Sequence, residues 1–135
     1  MSELQLILVT PEETVRDTQA DFVALPLFDG EAGVAPGRSP MIGRLGFGEL
    51  RFRHGGETTR YYVEGGFVQV ADNVVSVLTG RVVLASQLDV DTAAEDLTAA
   101  RARPANTPEL MEIRDRSELA ARAQLHVARR ASLNA

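Results

Sequence analysis

The sequence predicts a β-then-α protein: an N-terminal antiparallel β-sandwich over residues 1–88, followed by a C-terminal antiparallel two-helix hairpin over residues 89–135. Three observations carry this reading. All 11 glycines lie at or before Gly80, so the residue that turns most freely is confined to the first part. Short runs of Val, Leu, Ile, Phe and Tyr alternate there with turn residues at the spacing of a sandwich. Beyond residue 88, alanine, arginine and leucine take over in the pattern of amphipathic helices.

The strands are expected at Leu4–Val9, Phe22–Leu27, Glu49–Arg53, Thr58–Glu64, Phe67–Ala71, Val74–Leu78 and Val82–Leu84. His54-Gly55-Gly56-Glu57 and Asp72-Asn73 supply the positive-φ residues that tight hairpins need. Glu49-Leu50-Arg51-Phe52-Arg53 alternates with period two, so one face meets the core and its arginines meet water. Val74-Val75-Ser76-Val77-Leu78 is apolar nearly throughout, as suits a central strand. Asp29 to Pro40, with Gly30, Gly33 and Gly37, reads as a long, sharply turned loop, and Gly43, Gly46 and Gly48 break the segment after it.

The first helix is expected from Asp91 to about Arg103, with Asp89 or Asp91 accepting from orphan amides at its start and Pro104 ending it. Thr107-Pro108-Glu109 begins the second, with threonine at the N-cap and proline at the first helical position, and this helix runs to about Ala131. Its acids come early and its arginines late, matching the helix dipole at both ends. The apolar content of the hairpin is mostly alanine, so its packing is expected to be weak and the element movable.

Composition excludes several function classes. A chain of 135 residues is long enough for one sizeable core without disulfides. There is no cysteine, and His54 and His126 are the only histidines, so no thiolate nucleophile, Cys/His zinc cluster or disulfide framework is available. All 14 basic residues are arginine, which removes Schiff-base and phosphate-loop lysines. A net charge of −5 and a pI near 5.0 have the wrong sign for a general nucleic-acid binder. The acidic N-terminus and its short apolar run match neither a signal peptide nor a membrane span, so a protein of the cytoplasm without direct membrane insertion is expected. No catalytic residue, metal site or cofactor is expected. The carboxylates sit at turns and helix starts, where capping and solubility explain them. The glycine-rich loop has no GxxxxGK[ST] and no helix behind it to face a phosphate.

Gly30-Glu31-Ala32-Gly33 followed by Pro36-Gly37-Arg38-Ser39-Pro40, then Tyr62-Val63-Glu64-Gly65-Gly66-Phe67-Val68-Gln69-Val70, then Ala123-Gln124-Leu125-His126-Val127-Ala128, follow one another along nearly the whole chain. In this order they resemble the epsilon subunit of F-type ATP synthases. That family carries a G-x-x-G-x-x-P-G-H-x-P stretch in its sandwich, a strand running into a Gly-Gly pair, and an A-x-L-x-V-A pattern in its second helix. The resemblance implies a non-catalytic central-stalk subunit. Its sandwich binds the gamma subunit and stands on the membrane c-ring, and its hairpin folds back or extends toward the alpha/beta catalytic subunits and inhibits ATP hydrolysis. It implies a c-ring-facing loop with Glu31, Arg38 and Ser39, shaped by Gly30, Gly33, Pro36, Gly37 and Pro40 and followed by Gly65 and Gly66. It places the protein peripherally on the cytoplasmic face of the inner membrane. Affinity for gamma would come from apolar sandwich surface.

Two departures from the family pattern matter. Arg38 stands where the family usually has histidine, so a permanent cation replaces an ionisable imidazole. Some members bind ATP on the hairpin through D-x-x-R-A and two arginines. Here Ala94, Ala120 and Gln124 stand in place of the arginines, so no ATP binding is expected. By the resemblance Arg114, Arg116, Arg122, Arg129 and Arg130 are candidates to meet acidic surface on the catalytic subunits, whereas the residues by themselves favour a solvated face matched to the helix dipole. The rival reading is a free-standing β-sandwich module whose Gly30–Pro40 loop grips a small ligand, with the helices as a lid.

Overall fold

The computed structural model describes residues 3–133, and the chain divides into two compact units, Met1–Val83 and Leu84–Ala135. The first contains the strands β1 (Leu4–Val9), β2 (Thr14–Ala20), β3 (Phe22–Leu27), β4 (Gly30–Val34), β5 (Met41–His54), β6 (Glu57–Ala71) and β7 (Val74–Leu78), and the boundary falls within β8 (Val82–Leu84). The second carries a 3₁₀ turn at Ala85–Gln87, then α1 (Val90–Arg101) and α2 (Pro108–Leu133).

The eight strands form one sheet in the order β2-β1-β7-β6-β5-β3-β4, with β8 pairing β6. The sheet folds over itself as a sandwich. Leu4, Leu6 and Leu8 of β1, Val75 and Val77 of β7, Val68 and Val70 of β6, Leu50 and Phe52 of β5, and Val23 and Leu25 of β3 are all buried. The edge strand β2 lies against β5, where the Arg16 guanidinium sits 5.3 Å from the centre of the Phe52 ring. Phe52 in turn stacks on Tyr61, with ring centres 6.4 Å apart.

Both hairpin turns form where the sequence places them. Gly55 and Gly56 have φ of 59° and 84° between paired His54 and Glu57, and Asp72 and Asn73 have φ of 51° and 63° between Ala71 and Val74. Other expectations are corrected. The sheet is not wholly antiparallel, because β1 and β7 pair parallel, from Gln5 opposite Val74 to Val9 opposite Leu78. Thr14–Ala20 is a strand although its residues are largely polar, since as an edge partner of β1 it buries only Ala20. Gly30–Val34 is likewise an edge strand on β3, which shortens the expected loop to residues 35–40.

The glycines at 43, 46 and 48 do not break the chain, for β5 runs through them from Met41. They accommodate crowding instead: a Cβ at Gly46 would come within 3.1 Å of the Leu27 carbonyl oxygen. Thr58–Glu64 and Phe67–Ala71 are one strand, β6, bent at Gly65 and Gly66 with φ of 65° and 114°. Glu49 shares the strand face of Arg51 but is buried there, with its carboxylate 3.0 Å from Arg60 and 3.5 Å from Arg51.

In the second unit Asp89, not Asp91, is the N-cap of α1, its carboxylate accepting from the Thr92 N–H at 3.1 Å and the Thr92 hydroxyl at 2.7 Å. Thr107 caps α2 through the Leu110 N–H at 3.1 Å, with Pro108 at the first helical position. The helices are antiparallel: Arg101 at the end of α1 pairs with Glu118, while Val90 and Asp91 share a groove with Ala131 and Ser132. Their common core is Ala93, Leu97, Ala100, Ala121, Leu125 and Ala128, two leucines among alanines. With 26 residues against 12, α2 outruns α1, and Met111, Ile113 and Leu119 on its N-terminal half are exposed.

Candidate functional site

The first unit presents two distinct surfaces. One is the outer face of β1, β7, β6 and β5, produced by the period-two alternation that sends Leu4, Leu6 and Leu8 inward and Ile7 and Val9 outward. Register lines the outward residues into two rows across the sheet: Ile7, Ser76, Gln69 and Ile42, then Val9, Leu78, Phe67 and Arg44. All of these but Arg44 line an open groove of about 400 Å³ with almost entirely apolar walls. Ile42, Phe67 and Leu78 remain 79%, 60% and 49% exposed. The apolar area continues into Phe28, 69% exposed, whose ring carries the Arg44 guanidinium at 4.7 Å. Large apolar side chains concentrated on one sheet face mark a surface built for a macromolecular partner.

The other surface is the β3–β4–β5 connection, which holds the polar residues singled out by sequence. Glu31 lies on β4, not in a loop, and its carboxylate accepts two hydrogen bonds from Arg51, at 3.0 and 3.1 Å. Arg51 also approaches buried Glu49, which Arg60 reaches from β6, so charges alternate Glu31, Arg51, Glu49, Arg60. The Glu31 bond is the largest of the influences holding the Arg51 guanidinium still more firmly protonated than usual. Arg38 turns back along its own loop, donating to the Gly33 carbonyl at 2.9 Å, and the Gly37 N–H donates to Asn73 Oδ1 at 2.8 Å. Ser39 and Pro40 are exposed, and Gly30 and Gly37 take φ of 138° and 86°. Glu31 and Arg38 thus share one connection, each held by a bond of its own.

A further polar group is built from residues on either side of Gly65 and Gly66 in sequence. The Tyr62 hydroxyl donates to Glu64 at 2.8 Å, and Arg81 reaches Glu64 at 3.3 Å. Burial, reinforced by the Glu64 bond, pushes the Tyr62 phenol far above its ordinary range, so it stays a neutral donor.

On α2, Arg114 pairs with Asp115 at 3.1 Å, Arg116 with Glu112 at 3.6 Å, and Arg122 with Glu118. Arg129 is exposed near the helix end and Arg130 is half-buried. Ala94 lies beside the hairpin core, and Ala120 and Gln124 lie on α2. Sequence reasoning missed Ile7, Ile42, Phe67, Leu78 and Phe28 as a surface. Its available signal was that LQLILV and VVSVL carry apolar residues on both strand faces, which reads equally as full burial.

The family profile described as ATP synthase, Delta/Epsilon chain, beta-sandwich domain matches residues 3–85. The ATP synthase epsilon chain of Rhodopirellula baltica is 51% identical over 126 residues, covering 93% of this chain and 98% of that one. The ATP synthase epsilon chain of Symbiobacterium thermophilum is 40% identical over 104 residues, 76% of this chain and 75% of that one. Among solved structures, a chain of the Euglena gracilis mitochondrial ATP synthase (OSCP/F1/c-ring, rotational state 1) superposes with a TM-score of 0.80 at 26% identity, covering 98% of this chain and 82% of its own. A chain of the Tetrahymena thermophila mitochondrial ATP synthase central stalk/c-ring superposes at 0.72 over 93% of this chain and 96% of its own, at 12% identity, a likeness of fold.

Proposed function

The chain belongs to the epsilon-chain family of ATP synthase, and from that premise we propose that it is a non-catalytic subunit of the central stalk that couples the c-ring to gamma. The observation that carries this reading is the apolar outer face of β1, β7, β6 and β5. A rotor subunit must hold gamma without slipping under torque, and apolar burial supplies affinity that does not depend on salt. Covering the exposed fractions of Ile42, Phe67 and Leu78 contributes about 3–6 kcal/mol, scaled from about 1.5–3 kcal/mol for each side chain buried in full. Association entropy opposes this, so further contacts around the groove are required.

The β3–β4–β5 connection stands against polar loops of the c-ring. Its Glu31–Arg51 pair is already formed, so a partner meets a fixed dipole instead of two mobile charges, and Arg38 supplies a guanidinium beside it. Ser39 lies exposed beside it. Gly30, Gly33, Pro36, Gly37 and Pro40 shape this connection, and Gly65 and Gly66 bend β6.

The hairpin regulates. Its core is small, and Arg114 and Arg122 are engaged in exposed pairs worth about 0–1 kcal/mol each, so they can exchange an internal carboxylate for one on a catalytic subunit. Arg129 and Arg130 extend that basic end. Ala94, Ala120 and Gln124 offer no guanidinium to a triphosphate, so the hairpin answers to its protein partners and not to ATP. No described helix is long and apolar enough to cross a membrane. The protein sits peripherally, at the cytoplasmic face of the inner membrane, through its partners.

The experiment is ATP hydrolysis by a matching alpha/beta hexamer with gamma, adding full-length chain or a version ending after Leu88. Binding of both to gamma, with suppression by the full-length chain alone, is the expected outcome. Suppression by neither would remove the regulatory role and leave the coupling role. Failure of both to bind gamma would overturn the reading.

A further inference from the structure

Three donor side chains at one end of the sheet have no role in the surfaces above. Glu3 immediately precedes β1, Asp21 is the single residue between β2 and β3, and His54 ends β5. The register brings them abreast. Leu4 faces Ala20 and Phe22 faces Arg53, so one step beyond each pair Asp21 stands between Glu3 and His54. Their donor atoms all lie within 4.8 Å of one another. Asp21 is pinned by the backbone: its N–H donates to the Arg53 carbonyl at 2.7 Å, and its Oδ2 accepts from the Gly55 N–H at 3.1 Å. Gly55 and Gly56, both at positive φ, fix the turn that carries His54.

All three residues are exposed, and among the described residues neither carboxylate is within ion-pair distance of an arginine, in a chain with 14 of them. Arg53, the nearest in sequence to His54, stacks over the Phe22 ring at 5.4 Å instead. Two like charges held together without a counter-ion repel, and a bound cation removes that repulsion.

We propose that Glu3, Asp21 and His54 form a binding site for a first-row divalent metal ion of the zinc class. Two carboxylate oxygens and one imidazole nitrogen suit such an ion, whereas magnesium and calcium prefer oxygen alone and more of it. Tetrahedral coordination at about 2.0–2.2 Å needs donors about 3.4 Å apart. The exposed Glu3 and His54 side chains close the remaining distance by rotation about their staggered torsions, while Asp21 stays fixed. Solvent fills the fourth position. The ion would tie the start of β1, the β2–β3 corner and the β5–β6 hairpin together.

The test is titration of the isolated full-length chain with Zn²⁺, followed by calorimetry and by the imidazole proton resonances of His54 and His126, then reversed with a chelator. Expected are saturation at one equivalent in the micromolar range and movement of the His54 resonances while those of His126 stay put. His54→Ala and Glu3→Gln each weaken binding by at least about tenfold. Asp21→Asn, which keeps an acceptor for the Gly55 N–H, does the same without loss of fold by circular dichroism. Binding unchanged in His54→Ala, equal movement of both histidines, absence of saturation below millimolar Zn²⁺, or displacement by equimolar Mg²⁺ would each overturn the proposal.

Discussion

Gly66 has φ of 114°, and a Cβ placed on it would fall 1.9 Å from the Leu78 carbonyl oxygen. Two separate penalties therefore act on any substitution there, an unfavourable backbone region and a collision with rigid backbone. Gly66→Ala is expected to lower stability by at least about 2 kcal/mol in urea unfolding, and an unchanged midpoint would refute the close approach. Asp89 carries a pH-dependent share of stability. The Thr92 hydroxyl, then the Thr92 N–H, hold its carboxyl below the ordinary range. Its contribution is present above the unfolded value near pH 4 and is lost as pH falls through the lower folded value. Helical ellipticity should decline over that acid window, and Asp89→Asn, which caps without titrating, should flatten the decline. Both residues were legible as types, a Gly-Gly pair and an acid before a helix. That Asp89 and not Asp91 makes the cap was not, because one residue of helix offset decides which carboxylate meets the free amides.

Each strand of the β1–β7–β6–β5 layer has one covered and one open face. Phe67→Asp and Ile42→Asp place charge on the open face, where the free chain solvates it, so its melting temperature should hardly move. Affinity for gamma should fall by at least about tenfold in pull-down or surface-binding measurements, since a carboxylate buried at an interface is left unpaired. Unaltered gamma binding would assign the groove elsewhere. In the hairpin, Leu125 is one of only two leucines in the α1–α2 core. Leu125→Ala should cost the helical unit about 2–3 kcal/mol, seen as loss of hydrogen-exchange protection in α1 and α2, with α1 left unaffected as the contrary result. Tight turns and helix starts were readable because they depend on two to four neighbouring residues. Strand ends were not. Polar Thr14–Ala20 and glycine-containing Gly30–Val34 become strands through partners β1 and β3 distant in sequence, and Gly43, Gly46 and Gly48 serve close packing where local rules predict a break.

Across the whole molecule, charge and family membership point the same way. A chain with net charge −5, arginine as its only cation besides histidine, and no guanidinium at Ala94, Ala120 or Gln124 should show no saturable ATP binding by calorimetry. A sub-millimolar affinity would overturn that expectation. The division into β and α units, the absence of thiol and lysine chemistry, both hairpin turns, the cap at Thr107 and the ordered family motifs were all determined by the sequence itself, because each depends on composition or on short stretches of adjacent residues. Tertiary structure alone decided which face of the apolar strands is covered, the parallel pairing of β1 with β7, the engagement of Glu31 by Arg51 across β3, and the meeting of Glu3, Asp21 and His54. Those outcomes depend on the register between segments far apart in the chain. A one-residue shift there exchanges inside for outside, and no local pattern encodes it.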